Sequence, residues 1–80
     1  MFYTYVLRSK KDGDLYIGWT EDLKNRFREH NLGSVLATKS RIPMALVYYE
    51  ACLDEQSAIA REKQLKTGFG RAYLKRRLAS

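Results

Sequence analysis

The chain has 80 residues, a single cysteine and a formal net charge of +6. Its length suits one small domain with a modest core. The lone Cys52 excludes an internal disulfide and any cysteine-built metal cage. No apolar run approaches the ~20 residues of a membrane helix, and the first residues lack the pattern of an export signal. We therefore expect a cytoplasmic protein that does not enter a membrane.

The excess positive charge lies in the last quarter of the chain. Residues 61–80 contain seven basic side chains and one acidic one, whereas residues 1–60 contain eight of each. A basic stripe on one element is typical of a protein that binds a polyanion such as a nucleic acid. The alternative is a solvated terminal helix whose charge only aids solubility. Charge alone leaves both interpretations open.

The first half of the chain predicts a hairpin followed by a helix. Residues 2–8 are aromatic and β-branched, Asp12-Gly13 is a strong hairpin signal, and 15–19 form the returning strand. A helix over about 21–32 follows, with Thr20 as its expected N-cap. A polar loop over 34–43 separates it from the next element.

The second half predicts one strand and two helices. The near-continuous apolar run Met44–Cys52 is the best candidate for a central strand. Asp54 caps a helix over about 55–67, the segment 67–70 breaks the chain, and a basic helix spans about 71–78. The order ββαβαα predicts an α+β domain, in which helices flank a small three-stranded mixed or antiparallel sheet. We expect one domain over 1–80 with its core in 2–67.

Two of the predicted helices turn ionisable side chains toward the core. On the first, Arg26 and His30 share the stripe that carries Leu23 and Phe27. On the second, Glu62 falls within the apolar stripe. A buried charged group without a partner costs several kcal/mol, so several such groups in one small domain indicate a site.

Each of these side chains also has a structural interpretation. Arg26 could form a salt bridge with Glu62 or another acid, and His30 could cap its helix or bond to a tyrosine. Glu62 could pair with Lys66 at i+4, which is worth a few tenths of a kcal/mol. Considered together at these spacings, the residues favour the functional interpretation, because the structural one requires several independent coincidences.

Spacing then points to a known family. Tyr16-Ile17-Gly18 follows Tyr5 with ten residues between, and Tyr5 ends the segment Tyr3-Thr4-Tyr5. Arg26 follows Gly18 with seven residues between, and His30 follows Arg26 at i+4. Together with Glu62 after the third strand, this pattern resembles the GIY-YIG endonuclease superfamily, with Tyr3-Thr4-Tyr5 in the Gly-Ile-Tyr place. The segment 29–31, Glu-His-Asn, is similar to the Slx-type nucleases.

The resemblance implies an endonuclease that hydrolyses DNA with one divalent ion, Mg²⁺ or Mn²⁺. It makes Glu62 the metal ligand, Arg26 the clamp on the phosphate, and His30 the group that positions a tyrosine or the water. Tyr5 and Tyr16 are the candidates for general base, with Tyr5 favoured. Since a free tyrosine has a pKa near ~10, a nearby cation must assist it.

Further positions are predicted to contact nucleic acid. Trp19 is either a stacking platform or a hydrophobic plug, whereas Tyr48 and Tyr49 are assigned to sheet packing. The predicted nucleic-acid contacts are Trp19, Lys39, Arg41, Lys66, Arg71, Lys75, Arg76 and Arg77.

The resemblance also implies a role in DNA repair or recombination. It suggests branched, flapped or single-stranded DNA as the substrate, and a protein partner that supplies target choice. The alternative is a catalytically weak nucleic-acid-binding module within a repair complex. A purely structural adaptor would leave the inward polar groups unexplained.

Overall fold

The computed structural model describes residues 1–79 and has the predicted α+β architecture. Three helices flank a three-stranded antiparallel sheet. Within the described residues, no helix is long and apolar enough to cross a membrane. In chain order the elements are β1 (Phe2–Ser9), β2 (Leu15–Thr20), α1 (Leu23–Asn31), a 3₁₀ turn (Lys39–Arg41), β3 (Met44–Cys52), α2 (Glu55–Leu65) and α3 (Gly68–Leu78).

The central strand is β1, which pairs antiparallel with β2 on one side and β3 on the other. The prediction that Met44–Cys52 is the central strand is therefore wrong. In β1, residues 4–7 are all buried, as expected for a strand covered on both faces. In β3, Leu46 and Tyr49 are exposed, so its apolar run extends beyond the core.

Helix α1 begins later than predicted, and Asp22 rather than Thr20 is its N-cap. The Asp22 carboxylate accepts a hydrogen bond from the Asn25 N–H at 3.1 Å. Thr20 remains in β2, where it pairs with Tyr3. Both residue types cap helices well, so strand pairing decides between them. The predicted cap of α2 is confirmed, because Asp54 accepts from the Ser57 N–H.

Helix α3 begins at Gly68, three residues before its predicted start. Thr67 is the N-cap, and its hydroxyl accepts from the Gly70 N–H at 3.2 Å. Both glycines thus lie in the first turn of the helix rather than in a break. A Cβ at Gly70 would collide with the backbone of Leu65, so glycine permits α3 to fold back tightly on α2. Leu74 of α3 is fully buried, and the core therefore extends beyond the predicted 2–67.

The sheet separates two apolar clusters. On one face, Val6 and Ile17 pack with Leu65 of α2 and Leu74 of α3. On the other, Tyr5, Leu7 and Met44 pack with residues that include Leu23 and Phe27 of α1. Because side chains alternate along a strand, Tyr5 and Tyr16 both lie on the α1 face.

Candidate active site

Tyr5 and His30 form a buried polar pair at the centre of the α1 face. Tyr5 is 1% exposed and His30 is fully buried. The Tyr5 hydroxyl lies 2.8 Å from His30 Nε2. The Tyr16 ring packs against the same imidazole, with ring centroids 5.0 Å apart. The structure therefore brings together three of the predicted catalytic side chains.

Gly18 makes room for the Tyr5 hydroxyl. It lies directly opposite Tyr5 in the β1–β2 ladder. A Cβ at this position would stand 2.6 Å from the Tyr5 Oη, closer than packed atoms allow. Glycine inside a strand often marks such a close approach. The glycine of the Tyr16-Ile17-Gly18 segment lies within β2 and makes room for the site.

The second ring nitrogen of His30 contacts a hydroxyl that the sequence did not reveal. His30 Nδ1 lies 2.7 Å from Thr38 Oγ1, and Thr38 is also fully buried. Burial lowers the pKa of His30 to about 4, and the charge of Arg26 acts in the same direction. The imidazole is therefore neutral at pH 7, with one ring nitrogen as donor and the other as acceptor. Thr38 lies in the loop before β3, where no periodic pattern marks it.

Arg26 lies close enough to Tyr5 to influence its ionisation. Burial raises the pKa of Tyr5 above 10.0, and the Arg26 guanidinium opposes that rise. Arg26 also forms an ion pair with Glu29 at 3.3 Å, so the expected bridge to another acid is present. Both side chains are 37% exposed. Such a surface pair contributes only about 0–1 kcal/mol, so a phosphate could replace Glu29 at little cost.

Glu62 of α2 lies close enough to Tyr5 to act on it electrostatically. Its charge contributes to the raised pKa of Tyr5. Its Oε2 lies 3.3 Å from Lys66 Nζ, so the i+4 pair considered from the sequence is also present. Among residues 1–79, no group of three His, Cys, Asp or Glu side chains could hold a metal ion. A single carboxylate suits hydrated Mg²⁺, which keeps several waters, and does not suit a structural zinc site.

Comparison with known proteins agrees with this geometry. The model of the GIY-YIG catalytic domain matches residues 1–77. The chain belongs to the GIY-YIG family. At the level of the family, membership indicates a nuclease with endonuclease-type activity on DNA.

Relatives of this GIY-YIG protein are small proteins of similar length. It is 40% identical over 67 residues to a UPF0213 protein of Clostridium perfringens, covering 82% of this chain and 71% of the relative. It is 42% identical over 65 residues to one of Streptococcus agalactiae, covering 80% and 73%. The solution NMR structure of a Bacillus halodurans UPF0213 protein has a TM-score of 0.56 at 31% identity, over 92% of this chain and 82% of that one.

Two further contacts position the GIY-YIG site residues. The Asn31 side chain donates to the Met44 carbonyl at 3.0 Å and accepts from the Met44 N–H at 2.6 Å. This pairing fixes the end of α1, and hence His30, against β3. The Arg61 guanidinium donates to both carboxylate oxygens of Glu50 at 2.8 Å, which ties α2 to β3 beside Glu62.

Three of the predicted nucleic-acid contacts share a cavity. Arg41, Arg71 and Lys75 line a single cavity between the hairpin and α3. Lys66 pairs with Glu62, and Arg77 stacks on the Tyr73 ring at 5.1 Å. The remaining positions are not among the residues that line the cavity: Trp19 is half-buried in β2, and Lys39 and Arg76 are exposed.

Proposed function

We propose that this protein hydrolyses phosphodiester bonds of DNA with one divalent ion, Mg²⁺ or Mn²⁺, at Glu62. Its proposed substrates are branched, flapped or single-stranded DNA that arises in repair and recombination. The observation that carries the proposal is the buried hydrogen bond between Tyr5 and neutral His30 beneath Gly18. A buried polar pair at the centre of an 80-residue protein has a clear use if it transfers a proton.

The proposed base is Tyr5, assisted by His30. With the Tyr5 hydroxyl donating to His30 Nε2, its oxygen faces the Arg26 guanidinium, and it can accept a hydrogen bond from water once Arg26 turns to the phosphate. As the water attacks phosphorus, its proton passes to Tyr5 while the Tyr5 proton passes to His30. A pKa of about 4 makes His30 a weak acceptor in the free protein. The negative phosphate of the substrate would raise that pKa, so the transfer becomes easier when DNA is bound.

Arg26 and Glu62 have the remaining roles. Arg26 exchanges Glu29 for the phosphate and stabilises the charge that develops on its oxygens. Glu62 holds the divalent ion, which would stabilise the leaving 3′ oxygen when bound. Lys66 must then release the Glu62 carboxylate, and its half-exposed side chain is free to do so.

The Glu62→Gln variant tests the proposal. It keeps the shape of the side chain and removes the charge, so cleavage of labelled flap and single-stranded DNA in Mg²⁺ should fall by about 100-fold or more. Binding in EDTA, measured by fluorescence anisotropy, should change little. Glu55→Gln, an exposed acid in the first turn of the same helix, is the matched control. Equal cleavage by Glu62→Gln and wild type would exclude Glu62 as the ligand of an essential ion.

A second prediction separates the two tyrosines. Tyr5→Phe removes the hydroxyl that bonds to His30 and should lower kcat by about 10²–10⁴-fold with unchanged DNA affinity. Tyr16→Phe should have a smaller effect, because Tyr16 contacts the imidazole with its ring. Single-turnover cleavage of one flap substrate compares the two variants. A larger loss in Tyr16→Phe would transfer the role of base to Tyr16.

The alternative function is a catalytically weak nucleic-acid-binding module within a repair complex, guided by a protein partner. The Lys66–Glu62 ion pair favours it, since it competes with a metal ion for the carboxylate. In that case wild-type protein would bind DNA equally well in Mg²⁺ and EDTA and would cut none of the substrates.

A further inference from the structure

We infer that the cavity between the β1–β2 hairpin and α3 binds an unpaired nucleotide of the DNA strand that is cut. The inference rests on the proposed function and names the form of substrate that it requires. The cavity has a volume of about 720 Å³, within the usual range of ligand sites. It opens on the face of the sheet away from α1, where Ile17 and Leu74 form part of its wall.

The rim of the cavity is positively charged. Arg8, Arg71 and Lys75 are exposed there, and Asp14 is the one acidic side chain that lines it within residues 1–79. Arg41 completes the rim and bonds to Asp12 at 3.0 Å. Clustered cations around an opening favour a phosphate, which accepts several charge-assisted hydrogen bonds at once.

One nitrogen of Arg41 has no partner. Its Nη2 is the single buried side-chain nitrogen or oxygen in the described residues without a hydrogen bond. Such a group normally costs free energy, and a charged donor costs more than a neutral one. A phosphate oxygen at this wall of the cavity would supply the missing acceptor after a small shift of the side chain.

The inner wall of the cavity is apolar. It consists of Leu15 and Ile17 from β2 and of Leu74 and Leu78 from α3. An apolar wall inside a cationic rim matches a nucleotide, which joins a flat ring to a phosphate. In duplex DNA the bases remain stacked in the helix, and mainly backbone is offered to such a cavity. An unpaired strand can place a base on the apolar wall and its phosphate on the rim.

The cavity adjoins the proposed active site along β2. Leu15 and Ile17 flank Tyr16, and Gly18 lies opposite Tyr5. Leu15 and Gly18 are about 10 Å apart in an extended strand. Because β2 is an edge strand, DNA can pass around it from one face of the sheet to the other. A duplex, with a persistence length of about 50 nm, does not follow so short a turn, whereas a single strand does.

The double variant Arg8→Ala/Lys75→Ala tests this inference. We would measure binding of a labelled 12-nucleotide single strand and its matched duplex by anisotropy, in EDTA to prevent cleavage. For the single strand, affinity should fall about tenfold or more, and the slope of log K against log salt should decrease by about 1.4, or 0.7 for each lost phosphate contact. Affinity for the duplex should change less than about twofold, since duplex does not enter the cavity.

Two further variants sharpen the test. Arg28→Ala/Lys63→Ala removes the same charge from exposed positions on α1 and α2 that do not line the cavity, and should leave single-strand affinity within about twofold. Leu78→Gln makes the cavity wall more polar and leaves the net charge of the protein unchanged. It should weaken single-strand binding without altering the slope of log K against log salt. Circular dichroism would verify that each variant is folded.

The outcomes separate this inference from the proposed function. Equal losses on single strand and duplex, or equal losses in the control and cavity variants, would overturn the cavity assignment even if Glu62-dependent cleavage is observed. Failure of wild-type protein to bind any DNA would overturn both. Loss confined to the single strand would support the cavity as the contact that selects unpaired DNA.

Discussion

At the scale of single residues, His30 is held from both sides. Tyr5 bonds to one ring nitrogen and Thr38 to the other, at 2.8 Å and 2.7 Å. When Tyr5 donates to Nε2, the hydrogen of the neutral ring lies on Nδ1 and points to Thr38 Oγ1. Thr38 thereby supplies the acceptor for the Nδ1 hydrogen of the tautomer in which Nε2 can accept the Tyr5 proton. We assign it the role of a positioning residue.

Thr38→Val should slow cleavage through its effect on His30. Valine has nearly the same shape but leaves Nδ1 buried without a partner, which costs about 1–3 kcal/mol of stability. We expect lower kcat with unchanged DNA affinity, and the NMR shifts of the two imidazole nitrogens should show a mixture of tautomers. Thr38→Ser, which retains the hydroxyl, should restore both properties. Wild-type nitrogen shifts in Thr38→Val would argue against this role.

The candidate site was only partly predictable from sequence. Arg26, His30 and Glu62 could be identified because a helix places every third or fourth residue on one face, and their charges conflict with that face. Thr38 could not be identified, because loop residues follow no periodic pattern of burial. Its contact with His30 depends on the path of the chain between α1 and β3. Gly18 was visible as part of a motif, but its purpose depends on strand register, which brings it opposite Tyr5.

At the scale of elements, two glycines in α3 allow a matched comparison. Gly70→Ala places a methyl group against the backbone of Leu65 and should force α3 away from α2, lowering the free energy of unfolding by about 1–3 kcal/mol. Gly68→Ala meets no atom within 4 Å and should stabilise by about 0.4–1 kcal/mol. Urea denaturation measures both. Similar effects in the two variants would show that the contact at Gly70 is not tight.

Elements were predicted more reliably than their order in the sheet. The strands and helices follow from local patterns, and all six appear in the structure. The central strand is the one that pairs with a strand on each side, which depends on the tertiary fold. An apolar sequence is found in both β1 and β3 and does not show which of them is central. The start of α3 was missed for a related reason. Glycine normally ends helices, but here packing against α2 keeps Gly68 and Gly70 helical.

At the scale of the whole molecule, His30 should make stability depend on pH. Its pKa falls from 6.5 in the unfolded chain to about 4 in the folded protein, so the unfolded chain binds more protons between these values. The contribution of neutral His30 to the free energy of unfolding is fully present above pH 6.5. It is lost as the pH falls toward 4, and the total loss is about 3 kcal/mol.

Unfolding free energies at pH 7.0, 6.0 and 5.0 would measure this dependence, since most carboxyl groups remain ionised in that range. His30→Gln, although less stable, should show a much flatter profile there, because no other His exists in the chain. An equally steep profile in the variant would assign the dependence to other groups.

Tyr5 lies on β1, the one strand of the described sheet that is paired along both edges. A change in this strand is therefore expected to affect both the proposed activity and the stability of the fold. Because β1 is paired on both sides, we expect its backbone amides to exchange only when most of the molecule opens, whereas we expect α1 to loosen with the sheet intact. A substitution at a buried position of β1 is therefore expected to change activity and abundance together, whereas a substitution at an exposed position of α1 can change activity alone. If the proposed activity is correct, substitutions that adapt this protein to a new substrate are expected to accumulate in α1 and the loops, with the strand that bears Tyr5 left nearly unaltered.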